Sequence, residues 1–295
     1  MVRPLFLFDR TDAKLFVCGR TNGIIPVLIL AALLGIDADV ARAEAPVDPA
    51  RMATESCDPQ AASQSPTGVY VPAIRPLDTH SGTTRYRPPG DWPWLCRYRA
   101  DNQAALTFAP PEIVFYGDSI TENWAKIDPS FFGRFAINRG ISGQTSSQLL
   151  LRFYQDVVAL RPRKVHIVVG TNDIAGNPGA LDAQSYKNNI LAMVNLARTH
   201  RIKVILGSIP PAARFPWRND VPALAKFEPV REIRHLNLWL QRLAKERNLM
   251  FVNYHDVMAD ADGAMQTELT RDGVHPNAKG YEVMRQMATA AVAKP

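Results

Sequence analysis

The sequence predicts an α/β fold in which a parallel sheet carries helices on both faces. Three observations predict it. From about residue 106 to the C-terminus, short apolar runs alternate with segments whose apolar residues recur at helical spacing. The alternation continues without a break and without an internal repeat, as strands joined by helical crossovers require. Polar or glycine-rich segments follow the strands, where ligands gather in such folds.

The first strand is expected at Ile113–Tyr116 and a weaker second at Phe135–Asn138. VHIVV, Val165–Val169, is the third, and its unbroken apolar character suits a strand covered on both faces. The fourth covers Ile202–Leu206 and the fifth Met250–Asn253. Helices are expected at Ser147–Leu160, Ser185–His200 and Val230–Asn248. In the second of these, Ile190, Met193, Val194 and Ala197 share one face. A last helix follows Asn277, with Tyr281, Met284, Met287 and Ala288 on one side. One domain, residues 106–295, accommodates all of this.

The N-terminal part reads differently. Ile24 to Ile36, IIPVLILAALLGI, is apolar and uncharged; Arg10, Lys14 and Arg20 precede it, and Ala41-Arg42-Ala43 follows. Basic segment, apolar core and small-residue site are the layout of a secretory signal peptide, residues 1–43. The apolar run is shorter than the roughly 18 residues a spanning helix takes, which disfavours the alternative of an uncleaved anchor. The mature protein is therefore expected to be secreted or periplasmic, with no stable membrane insertion. Residues 44–105 begin as a stretch rich in Pro, Ala, Ser and Thr without apolar periodicity, an irregular extension. Its end, from Asp91-Trp92-Pro93-Trp94, is expected to pack on the domain behind it. Cys18 would leave with the signal, so export predicts a disulfide between Cys57 and Cys96.

Composition excludes some functions. Apolar residues make up 46% and charged residues 21%, enough for a core and against wholesale disorder. The net charge of +6 is scattered, with no basic run interleaved with aromatics, so nucleic acid is not an expected partner. The five histidines other than His275 lack metal-ligand spacing.

The segments after the strands carry the chemistry. Gly117-Asp118-Ser119 follows the first, and Asn138 to Thr145 (NRGISGQT) the second. Gly170-Thr171-Asn172-Asp173 follows the third, and Asp272-Gly273-Val274-His275-Pro276 lies beyond the fifth. Acyl transfer needs these residue types. A serine hydroxyl is a weak nucleophile until a base takes its proton, histidine suits that role near neutral pH, and a carboxylate holds the imidazole tautomer. The oxyanion that forms needs preorganised N–H donors. Ser119, His275 and Asp272 fit the first three roles, and the N–H groups of Ser119 and Gly143 with the Asn172 amide fit the fourth. Pro276 disfavours helix at His275, which puts the Asp-x-x-His unit in a loop ahead of the last helix.

Four blocks in this order resemble the SGNH hydrolases, also called GDSL esterases/lipases: Gly117-Asp118-Ser119-Ile120, Gly140-Ile141-Ser142-Gly143-Gln144-Thr145, Gly170-Thr171-Asn172-Asp173 and Asp272-Gly273-Val274-His275-Pro276. The resemblance covers roughly Ala109 to the C-terminus. It implies a flavodoxin-like SGNH fold, a three-layer α/β/α sandwich with a five-stranded parallel sheet, in agreement with the strand count above. It implies Ser119 as nucleophile, Gly143 and Asn172 completing the oxyanion hole, Asp272 and His275 completing the triad, and no cofactor. Ser142, also between glycines, is expected to shape the loop. His166 within a strand is expected to be a core residue, and the neighbours His255 and Asp256 have no alignment with the site.

The substrate is expected to be a short-chain carboxylic ester, an acetyl ester of a glycan or a small aryl or alkyl ester. Phe215 and Trp217, after the fourth strand, are expected to wall a pocket, with Arg214 and Arg218 near any anionic group. Lysophospholipase, thioesterase or acyltransferase work on the same fold is the alternative. A non-catalytic glycan-binding module would show a damaged triad, whereas every triad position is intact here.

Overall fold

The apolar runs form one parallel sheet, in order β2-β1-β3-β4-β5, in a computed structural model that describes residues 91–180, 182–218 and 228–294. The strands are β1 (Ile113–Gly117), β2 (Ala136–Gly140), β3 (Lys164–Val168), β4 (Lys203–Gly207) and β5 (Met250–Val252). The helices are α1 (Arg99–Ala105), α2 (Ser119–Ile127), α3 (Ser146–Asp156), α4 (Thr171–Ile174), α5 (Ala183–Thr199), α6 (Pro229–Arg247), α7 (Tyr254–Met258) and α8 (Ala278–Val292). The expected signal peptide, the extension up to residue 90 and Cys57 lie outside the described residues.

Side-chain alternation along the strands builds a core on each face. Val114, Tyr116, Val165, Ile167, Val204 and Leu206 pack with Leu149 and Phe153 of α3, Ile190 and Met193 of α5, and Ile233 and Leu240 of α6. Ile113, Phe115, Val168 and Ile205 pack on the other side with Trp124 of α2, Tyr254 and Met258 of α7, and Tyr281 and Met284 of α8. The result is the three-layer α/β/α sandwich with five parallel strands.

Most elements lie within one or two residues of expectation, and β2 and α3 depart furthest, for local reasons. β2 starts one residue later than expected and runs through Asn138-Arg139-Gly140, because this edge strand's polar side chains find partners. Arg139 Nε donates to Asn102 Oδ1 (2.7 Å), and its guanidinium lies over the Tyr98 ring (4.7 Å). Phe135 is left exposed. α3 stops at Asp156, and a 3₁₀ turn over Val158–Leu160 leads to Arg161 in the left-handed region (φ 51°), ahead of Pro162. α6 has Pro229 in its first turn and ends at left-handed Asn248 (φ 52°), as capping preferences favour.

Residues 91–98 lie along the β2 side of the domain. Gln144, Gln148 and Gln155 donate side-chain amides to the carbonyls of Pro93 (2.8 Å), Trp92 (3.0 Å) and Leu95 (2.6 Å). The Tyr98 hydroxyl donates to the Gly140 carbonyl. Cys96 is disulfide-bonded. Among the described residues, no helix is long and apolar enough to cross a membrane.

Candidate active site

Strand order places β1 between β2 and β3, so the chain leaves the sheet in opposite directions on either side of it and opens a crevice at the carboxyl ends. Ser119 stands there. β1 ends at Gly117, where an added Cβ would lie 2.3 Å from the Val168 carbonyl oxygen and from Thr121 Oγ1, so the backbones can meet only without a side chain. Asp118 caps α2, with Oδ1 accepting from Ile120 N at 2.9 Å. Ser119 is thus the first residue of a helix, and its free N–H lies at the positive end of the helix dipole.

Ser119 Oγ lies 3.0 Å from His275 Nε2, and His275 Nδ1 lies 2.7 Å from Asp272 Oδ2. An ionised Asp272 can only accept, so Nδ1 carries the proton and Nε2 offers its lone pair to the serine hydroxyl. Burial opposes ionisation of Asp272. Its bonds from the His275 backbone N–H and ring, and from the Val274 N–H, outweigh that and hold the carboxyl below its usual range. The loop is closed locally. The Thr270 hydroxyl donates to the His275 carbonyl (2.9 Å) and accepts from Gly273 N (2.9 Å), and Gly273 takes a φ of +86°. Asn277 then caps α8. This compact turn joins Asp272 to His275 across three residues.

The glycine loop after β2 is held from below. Glu122, three residues after Ser119, is buried; its Oε2 accepts from Ser142 N (2.8 Å) and Ser142 Oγ (2.5 Å), and its Oε1 meets Arg97 Nη2 (2.9 Å). Ser142 therefore anchors the loop rather than facing the crevice. Gly143 follows in the left-handed region (φ +79°). Behind the loop, fully buried Arg152 donates to Gln144 Oε1 (2.6 Å), to the Arg139 and Gly117 carbonyls and to Asp156.

Asn172, at the start of α4, directs Nδ2 toward Gln144 O (3.1 Å) and Asp118 Oδ2 (3.2 Å), while its Oδ1 accepts from Asn177 Nδ2 (2.8 Å). Burial pushes the Asp118 carboxyl up to about 7. Asp173 accepts from Ser146 N and Oγ, tying the loop after β3 to the start of α3.

Of the aromatics expected to wall a pocket, Trp217 sits beside His275, ring centroids 5.9 Å apart. Phe215 is buried in the core beneath it, 5.5 Å from Trp217 and tilted against it. Arg218 approaches Gly176, and Arg214 is exposed. His166 is a core residue: its Nε2 meets the Tyr254 hydroxyl at 2.8 Å, and burial drives its pKa down to about 3. His255 pairs with exposed Asp256, and its Nε2 has no hydrogen-bond partner among the described residues. Among the described residues, no cluster of His, Cys, Asp and Glu is placed to hold a metal ion.

Sequence reasoning passed over Glu122, Arg97, Arg152 and Asn177. An acidic residue in the first turn after the serine is a readable signal for Glu122; nothing local marks the other three.

Comparison with known proteins bears on the family and the fold. The sequence model of the GDSL-like Lipase/Acylhydrolase family matches residues 115–283. A GDSL-like lipase of Bacteroides thetaiotaomicron superposes with a TM-score of 0.62 at 40% identity, covering 68% of this chain and 97% of that one. The isoamyl acetate-hydrolyzing esterase of Saccharomyces cerevisiae is 25% identical over 195 residues, 58% of this chain and 82% of that protein. The uncharacterized lipoprotein YqeF of Bacillus subtilis is 37% identical over 79 residues, 25% of this chain and only 32% of that protein's length.

Proposed function

We propose that this chain, which belongs to the GDSL-like lipase/acylhydrolase family, hydrolyses short-chain carboxylic esters through an acyl-enzyme on Ser119. The carrying observation is the continuous line from Ser119 Oγ to His275 Nε2 (3.0 Å) and from His275 Nδ1 to Asp272 Oδ2 (2.7 Å). Ser119 Oγ attacks the ester carbonyl as its proton passes to His275 Nε2, and Asp272 stabilises the resulting imidazolium. The N–H groups of Ser119 and Gly143 and the Asn172 amide receive the oxyanion. Collapse breaks the bond to the alcohol oxygen, which takes the proton from His275. Water then attacks the acyl-enzyme by the same route, giving the carboxylic acid and restoring Ser119.

The short-chain reading draws on Trp217 standing beside His275, and on the similarity to the yeast isoamyl acetate-hydrolyzing esterase. The disulfide at Cys96 supports placing the mature protein in an oxidising compartment, secreted or periplasmic. Acetyl esters of glycans or small alkyl and aryl esters are the substrates to try first.

The test is labelling by a fluorophosphonate with the adduct mapped by mass spectrometry, beside p-nitrophenyl esters of graded length. A label on Ser119, lost in Ser119→Ala, with activity falling as the acyl chain lengthens, is expected. A folded protein with neither label nor turnover overturns the catalytic reading; a flat chain-length profile overturns the short-chain part. Asn172→Ala is expected to lower kcat by on the order of 10²–10³-fold.

A further inference from the structure

Asn177 lies outside the family blocks, yet it touches three parts of the site. Its Oδ1 accepts from Trp217 Nε1 (3.1 Å), and its Nδ2 donates to Asn172 Oδ1 (2.8 Å) and to the Gly143 carbonyl (3.1 Å). Its backbone N–H donates to the Asn172 carbonyl (3.0 Å). Pro178 follows and narrows its backbone freedom further.

The direction of each bond is dictated by chemistry. An indole N–H only donates, so the Asn177 atom it meets is the oxygen. A backbone carbonyl only accepts, so the Asn177 atom facing Gly143 O is the amide nitrogen, and the two assignments agree. The Asn172 atom facing that nitrogen is then its oxygen, which leaves the Asn172 amide nitrogen on the opposite side, where it meets Asp118 Oδ2 and the Gln144 carbonyl of the glycine loop. A flipped Asn172 would set its oxygen against the Gln144 carbonyl and the Asp118 carboxyl, and its nitrogen against that of Asn177. Glu122 meanwhile holds Ser142 N on one side of the Gly143 N–H, and Asn177 holds the Gly143 carbonyl on the other.

We propose that Asn177 is a positioning residue for the oxyanion donors: through a relay that begins at the Trp217 indole N–H, it reinforces the Asn172 amide orientation that the Gln144 carbonyl and Asp118 also favour, and it steadies the Gly143 loop. This rests on the oxyanion role proposed for Asn172. Asn177 touches no reacting atom, and its effect reaches catalysis through Asn172. Trp217, beside His275, is thereby tied to the donor that acts on the far side of the ester carbonyl.

The test is a double-mutant cycle on p-nitrophenyl acetate hydrolysis, with thermal unfolding of each variant. Asn177→Ala is expected to lower kcat by about 10–10²-fold with KM within about twofold, part of the 10²–10³-fold cost of losing a donor outright. In the Asn172→Ala background the same change is expected to add no more than about threefold, the share exerted through Gly143. Asn177→Asp matches the side chain in size and still accepts from Trp217 but cannot donate, so it is expected to lose at least as much as Asn177→Ala. Trp217→Phe removes the indole donor while the Gly143 carbonyl still orients the Asn177 amide, and is expected to cost several-fold in kcat by loosening Asn177; it serves the test if Asn177→Ala does not fold. Equal Asn177→Ala losses in both backgrounds, or wild-type kcat in Asn177→Asp, overturn the relay while leaving the oxyanion reading intact. A full-rate Asn172→Ala removes that reading and the relay with it.

Discussion

Replacing Glu122 by glutamine asks how the glycine loop is held against the nucleophile helix. The carboxylate uses both oxygens: Oε2 takes Ser142 N and Oγ at 2.8 and 2.5 Å, and Oε1 takes Arg97 Nη2 at 2.9 Å. Glutamine keeps one oxygen. Aimed at Ser142, it turns its amide hydrogens on the Arg97 guanidinium; aimed at Arg97, it turns them on the Ser142 N–H. Both side chains are nearly out of solvent, at 8% and 7% exposure, so a donor faces a donor in a low-dielectric site. Breaking such a pair costs about 3–5 kcal/mol, whereas Lys126, 44% exposed and 3.5 Å from Oε1, adds little. We expect Glu122→Gln to lose about 3 kcal/mol in urea unfolding at pH 7. As Gly143 loosens, kcat should fall by about tenfold, below the cost of losing an oxyanion donor outright.

The Arg97→Leu/Glu122→Gln double variant should recover part of the stability, because the stranded guanidinium is gone. The pH dependence has a defined sign. Burial works against ionisation of Glu122, but the Ser142 hydrogen bonds and the nearby cations hold its carboxyl below the usual range. The stability it contributes is therefore present above about pH 4.3, the unfolded value, and lost as pH falls through the lower folded one. The gap between wild type and Glu122→Gln should close in acid. A loss under about 1 kcal/mol with unchanged kcat would refute the reasoning, since a buried ion pair that can be broken so cheaply is not holding the loop.

Other expectations follow from the same geometry. Gly140→Ala should damage both fold and activity, because its Cβ would lie 2.2 Å from Glu122 N and 2.8 Å from the Asp118 carbonyl oxygen; an alanine variant with wild-type melting would contradict this. Gly143→Ala meets nothing closer than Asn177 Nδ2 at 3.9 Å, so its cost should be the left-handed backbone alone, about 1 kcal/mol, visible in thermal unfolding. Asp272→Asn should lower kcat by up to about 10⁴-fold through the wrong imidazole tautomer while KM changes little, as steady-state kinetics would show. Burial raises Asp118 from 3.8 to about 7, so the folded state retains this proton through that window and the group's contribution to stability falls as pH rises from about 4 to 7. The shift corresponds to on the order of 4 kcal/mol. The unfolding free energy of Asp118→Asn should therefore gain on wild type across that range, and parallel pH profiles would contradict the assignment.

The fold was legible where one signal dominated. VHIVV is apolar enough to declare a doubly covered strand, and the periodic faces of α5, α6 and α8 declare amphipathic helices. β2 was harder, because Asn138 and Arg139 are polar and become strand residues only through partners such as Thr121, Asn102 and Tyr98. Phe215 illustrates the converse: its loop position suggested a pocket wall, but the chain turns it into the core and leaves Trp217 beside His275.

By itself the sequence determined the layer architecture, the order of the strands along the chain, and the chemical types set at their carboxyl ends. These follow from local periodicity and from residues that cap helices or break strands, so neighbouring residues suffice to read them. Tertiary structure alone decided the 3.0 Å approach of Ser119 to His275, 156 residues apart, and the ion pair that carries Arg97 to Glu122. It alone decided which end of the Asn172 amide meets Asp118 and the Gln144 carbonyl. Hydrogen bonds of this kind are worth enough to matter only where water is excluded and both partners are held. That exclusion belongs to the packed sandwich, because the groups that make it come from segments far apart in the chain.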